Sequence, residues 1–157
     1  MSQLFSRLGL SITHAGTIAN TLPAHVTIQH YQTLYGGEVA GRLVDELYTL
    51  YFSSAHHPSS RSTLLTAARA AHLPAPDAET EAYITRITDN DANNNDNDKS
   101  REKRAVGDTI KTQRMDGVDS VPYVVIEGRR RDFSLVGAKE VDEYVKVLEQ
   151  VVAESGA

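Results

Sequence analysis

Six histidines, a run of aspartates and asparagines, three consecutive arginines and one Val-Pro bond are the places where this 157-residue chain could do chemistry. Histidines bind metals or carry protons when two or more converge. His25 and His30 are five apart, off the i, i+4 register that sets two ligands on one helical face. His56 and His57 are adjacent and precede Pro58, so their rings diverge on a loop; His14 and His72 stand alone. No H-E-x-x-H pattern occurs, and the reading is of solvated histidines with no metal. The run "DNDANNNDND", residues 89–98, places Asp89, Asp91 and Asn93 at the first, third and fifth positions of a calcium loop. Its sixth position is Asn94 where Gly is needed, and its twelfth is Ser100 where Glu is needed. Without the sharp turn and the bidentate ligand, the run reads as a solvated, disordered polar insert over 89–104, including the basic "KSREKR". "GRRRD", 128–132, could grip phosphate, but reads as a solvated hairpin tip whose charges guard a strand edge. Neither a glycine-rich phosphate loop nor a nucleophile elbow is present, and no cofactor is indicated.

The chain contains no cysteine, so its only sulfurs are those of Met1 and Met115. Disulfides, thiolate metal sites and dithiol redox chemistry are thereby excluded for these residues. Pro122 has no N–H and suits a strand's first residue, an edge or a bulge. It stands directly before "YVVI", the most apolar short run of the chain.

The elements that must position these residues follow from period and punctuation. Pro23 marks a first helical turn, and "PAHVTIQHYQTLYGG" sets Val26, Gln29/His30 and Leu34 at helical spacing before Gly36-Gly37. "EVAGRLVDELYTLYFSS" is a second helix with Val39, Leu43, Leu47 and Leu50/Tyr51 on one face. A third runs from Thr63 to His72 and stops at Leu73-Pro74; a fourth covers 77–88, with Asp77 as its cap and Tyr83, Ile84 and Ile87 apolar. A fifth resumes in "EKRAVGDTIKTQRM", turning Val106, Ile110 and Met115 inward, and ends at Gly117. Strands at 123–127 and 132–136 form a hairpin about Gly128–Arg130. A last helix in "AKEVDEYVKVLEQVVA" carries Val141, Tyr144, Val145, Leu148 and Val152 on one face.

A length of 157 residues suits one domain, with an ordinary apolar fraction of 40%. The net charge of −5 argues against a nucleic-acid partner. No apolar run reaches the roughly 20 residues of a membrane helix, and the start lacks the pattern of a secretory signal, so the expectation is a cytoplasmic protein without a membrane partner.

From Met115 to Gln150, the order helix-ending Gly117-Val118, Val121-Pro122, apolar strand, Gly128, second strand, Gly137-Ala138 and amphipathic helix resembles the closing segment of DsbA-like thioredoxin-domain oxidoreductases. Further upstream, Gly16, Asn20, Thr21, Ala24 and His25 are similar to the G…G-N-T…A-H-R-L stretch of the FrnE-type branch. Ala19 stands where that branch has glycine, and Val26-Thr27 replace its Arg-Leu. "LVDELYTLYF" and "LLTAARAAHL" resemble its following helices, so the likeness covers most of the chain apart from the Asn/Asp run. The resemblance implies an α/β fold, α+β by content: a partial thioredoxin-like domain, N-terminally incomplete over 1–157, with a helical insertion at 20–88 and a closing α-β-β-α segment at 105–153. It implies a cis Val121-Pro122 bond and a substrate strand held by the backbone at Ser120, Val121 and Pro122, with Asn20 and His25 beside the site. The family's Cys-x-x-Cys half, which brings the central strands, has no counterpart here.

Three functions stay open on this reading. One is a thiol-disulfide oxidoreductase family member that is redox-inactive over these residues; whether it is an enzyme is undecided. Another is a non-catalytic module whose open strand edge takes a peptide, a protein strand or a second copy. The third is a glutathione-using isomerase or transferase relative.

Overall fold

The computed structural model describes residues 9, 11–13, 15–75, 77–89 and 97–156, with the backbone alone for 97–100. They form a mixed α/β protein that is mostly helical, divided into two compact units, Met1–Asp108 and Thr109–Ala157. Among them, no helix is long and apolar enough to cross a membrane.

The helical unit holds α1 (Leu22–Tyr35), α2 (Gly37–Tyr48), α3 (Arg61–Ala70), α4 (Asp77–Thr88) and the first part of α5 (Asn97–Met115). Pro23 lies in the first turn of α1, where a missing N–H leaves nothing unpaired. Gly36 takes a φ of 86°, a left-handed conformation that ends α1 and lets α2 begin one residue later. A π-helical turn, Thr49–Ser53, extends α2, and Ser60 caps α3 by accepting a hydrogen bond from the Thr63 N–H at 3.2 Å.

The four helices close a ring in which α1 meets α2, α2 meets α3, α3 meets α4 and α4 returns to α1. At its centre Leu43, Leu64, Ala67, Ile84 and Ile87 have no exposed surface. Ala67, Ala68 and Ala71 are small enough to let neighbouring helices approach, while Tyr31 fills the space toward α4 and donates its hydroxyl to Thr80 Oγ1 at 3.2 Å.

The closing unit holds the rest of α5, then β1 (Tyr123–Ile126), β2 (Phe133–Val136) and α6 (Val141–Ser155). The strands are antiparallel, with Tyr123 opposite Val136 and Ile126 opposite Phe133. They are the only two strands among the described residues. Gly117, at a φ of 86°, ends α5, and the Val121-Pro122 bond is cis. Gly128 is required at the turn: a Cβ there would collide with the carbonyl oxygen of Arg131. No residue from 109 to 156 is buried.

Several expectations need correction. Residues 97–104 belong to α5, so the polar insert expected over 89–104 does not extend through them. The sequence turns there from Asn and Asp to Lys, Arg, Glu and Ala, which lose little on entering a helix. Residues 90–96, and with them most of the calcium-loop comparison, lie outside the described residues. Ile110 and Met115 are exposed, and of the inward trio only Val106 packs against the core. Leu34 is likewise exposed.

The last helix differs most. Its half-buried face is Tyr144, Val147 and Val151, whereas Val141, Val145, Leu148 and Val152 are exposed. At 3.6 residues per turn the two stripes lie roughly 100° apart, and a two-stranded hairpin is too narrow to cover both.

Stability should follow this division. Leu43→Ala is expected to cost about 2–5 kcal/mol in denaturant unfolding, through lost transfer energy and a cavity. Val152→Ala, at a site 57% exposed, should change stability by no more than about 0.5 kcal/mol.

Candidate functional site

Pairing geometry defines the open edge of β1. Antiparallel partners alternate between residues that exchange hydrogen bonds and residues whose N–H and C=O groups point away from each other. The Gly137 N–H donates to the Pro122 carbonyl at 2.9 Å, which fixes the phase of the alternation. Val124 and Ile126 therefore bond to β2, and the backbone groups of Tyr123 and Val125 point to the strand's other side. No other described strand lies there.

Beside that edge is a groove of about 550 Å³ lined by Gln113, Asp116, Val118, Val121, Tyr123 and Val125. Side chains alternate with the pleat: Val124, Ile126, Phe133 and Leu135 are half-buried on one face, while Val125, Ser134 and Val136 are exposed on the other. Val121, at the mouth, is 83% exposed. Ser120 donates its hydroxyl to Asp119 Oδ1 at 3.3 Å, a local contact.

The tip opposite is tied to α6. Arg131 pairs with Glu154 at 2.7 Å and lies over the Phe133 ring, and Arg129 donates to the Ser155 carbonyl at 3.3 Å. The hydrogen bond from Arg131 lowers the Glu154 pKa. The expectation of a purely solvated arginine turn is therefore too simple, since two of the three arginines fasten the hairpin tip to the end of α6.

Ser120, Val121 and Pro122 lie together at the start of β1. Asn20 and His25 belong to the helical unit. Asn20 Oδ1 accepts the Leu22 N–H at 2.9 Å, which caps the approach to α1. His25 is exposed on the first turn of α1. Among the described residues no three His, Asp or Glu side chains converge as metal ligands would.

One polar cluster had no signal in the sequence. His30 of α1 stacks on Tyr83 of α4, with ring centroids 3.7 Å apart, and its Nδ1 is 3.9 Å from Glu102 of α5. Glu102 also accepts two hydrogen bonds from Arg86 Nη2, at 3.1 and 3.2 Å, and one from the Tyr83 hydroxyl at 3.5 Å. Burial pushes the His30 pKa down against the opposing pull of Glu102, and burial raises that of Tyr83. The four residues come from three helices separated by loops. Their spacing along the chain carries no period that would have revealed them.

No protein-family model matches the chain, and no curated protein matches it.

A His30 pKa below the usual 6.5 means that the unfolded chain binds more protons than the folded one between the two values. The stability contributed by neutral His30 is therefore present above about 6.5 and is lost as pH falls from there through the folded value. A proton NMR titration should give a His30 midpoint below 6.5, and His30→Phe should flatten the fall in melting temperature as pH drops below about 6.5. A midpoint at or above 6.5 would contradict the burial argument.

Proposed function

We propose that this chain is a DsbA-like thioredoxin-type relative acting as a non-catalytic interaction module, which accepts an extended polypeptide strand along the open edge of β1. The observation that carries the reading is the outward direction of the Tyr123 and Val125 backbone groups, beside an apolar-lined groove. Main-chain groups in strand geometry add a visiting strand by the same hydrogen bonds that join β1 to β2, and alternate side chains of the visitor lie in the groove.

The family relation is supported by the order of motifs from Gly117 to the closing helix, and by a hairpin followed by an amphipathic helix in that segment. Disulfide exchange requires a thiolate nucleophile, and these 157 residues contain no cysteine. What they bring to such a fold is the surface that holds a strand, without the thiolate that would attack its disulfide.

Two measurements test the proposal. Dithiothreitol-driven insulin reduction in the presence of the protein should match the protein-free control. A labelled, reduced and alkylated unfolded polypeptide should bind, slowing amide exchange at Tyr123 and Val125. Val125→Pro, which removes one outward N–H and none directed at β2, should weaken binding about tenfold. Absence of binding at concentrations where the chain is monomeric, or binding indifferent to that substitution, overturns the strand-accepting role.

A further inference from the structure

We infer that the strand received at this edge is β1 of a second copy, paired antiparallel about a twofold axis at Val124. The inference rests on the strand-accepting reading above and names the occupant. In a twofold antiparallel pair centred on Val124, Tyr123 of each copy lies opposite Val125 of the other. Both are residues whose N–H and C=O groups face outward, so each such pair can exchange two hydrogen bonds. This centre uses both outward residues of β1 in both copies. An axis at Tyr123 would instead set Val125 against Val121, and an axis at Val125 would set Tyr123 against Glu127. Val121 and Glu127 both lie outside β1, so either shift replaces strand backbone with the flanking turns.

Side chains and charges agree with the same register. Each Tyr123 meets a Val125 across the junction, an aromatic against a β-branched residue, which is a favourable cross-strand combination. Antiparallel pairing sets the segment before β1 of one copy beside the segment after β1 of the other. The acidic approach to β1 (Asp116, Asp119) thus lies along the basic tip (Arg129, Arg130) at both ends. A parallel pairing would set acid beside acid and base beside base. All four side chains are exposed.

Sheet size gives the third argument. Two strands alone are marginal in water and are steadied by further strands or by a packed helix, and α6 leaves the outer edge of β1 without a strand partner among the described residues. The twofold pairing makes a four-stranded sheet in the order β2-β1-β1-β2. It also removes one open edge from each copy, the kind of exposed edge that otherwise invites aggregation.

Sedimentation velocity on the full chain from about 1 to about 200 µM tests this directly. A reversible monomer–dimer equilibrium is expected, with amide protection at Tyr123 and Val125 rising with concentration. Val125→Pro should abolish the dimer while circular dichroism keeps its helical signal. Should that variant fail to fold, charge reversal decides. Asp119→Arg alone and Arg130→Asp alone should each weaken the dimer roughly tenfold, and an equimolar mixture of the two should restore it as a heterodimer. A monomer throughout the range overturns the second copy, as does a dimer that ignores these substitutions. A monomer that still binds the unfolded polypeptide leaves the strand-accepting reading standing. A chain that does neither overturns both.

Discussion

Between residues 109 and 156 no side chain is buried, whereas five apolar residues of the helical unit have no exposed surface at all. That contrast governs what the closing unit can do. Ordering a residue costs about 1–2 kcal/mol of backbone entropy, and burial at about 25 cal/mol per Å² is the main term that opposes it. Half-buried Val124, Ile126, Phe133 and Leu135 supply some burial, and bonds add to it: the strand ladder, Gly137 to Pro122, the Gly128 N–H to Asp132, and Arg131 to Glu154. An exposed ion pair such as the last contributes no more than about 1 kcal/mol. Anything that covered the edge of β1 or the exposed stripe of α6 would therefore add burial that the closing unit lacks by itself.

The helical unit meets its constraints in another way. Its apolar ring is closed, and polar groups caught at its margin bond to one another. Glu102 is shared by Arg86, Tyr83 and His30, which fixes the upstream part of α5 against α1 and α4 by direction as well as by burial. An apolar side chain in place of Glu102 would pack without choosing a rotation of the helix. A carboxylate with two fixed donors chooses one, and Val106, one turn later, is then turned toward the core.

Much of this is legible in the sequence, for local reasons. Pro23 and Gly36 bound α1 because one lacks an N–H and the other tolerates a left-handed φ, and neither property depends on the rest of the fold. The positions of Val39, Leu43 and Leu47 follow from the helical period alone. Legibility fails where a partner decides the outcome. The stripe through Val141, Val145, Leu148 and Val152 has the right period for a covered face, yet period cannot say whether a cover exists. Ile110 and Met115 fail for the same reason. The His30 cluster is invisible because its members meet only in three dimensions. The start of α5 is missed when an Asn/Asp-rich run is extended into the good helix formers that follow it.

At the candidate site, types and places of residues can be read, but the direction of backbone groups cannot. Val121 and Pro122 are expected at a site by resemblance alone, and what the structure adds is that they directly precede β1. The register is not identifiable, and the register decides that Tyr123 and Val125, rather than Val124 and Ile126, offer their main chain outward. In the proposed reading this distinction separates holding a strand from exchanging its disulfides. Exchange needs a thiolate sulfur, which these residues do not supply. Holding needs only amides and carbonyls in phase, which every residue but proline supplies. Most side-chain changes along β1 would therefore leave recognition in place, while a one-residue slip would turn the outward groups into β2 and the half-buried face into solvent.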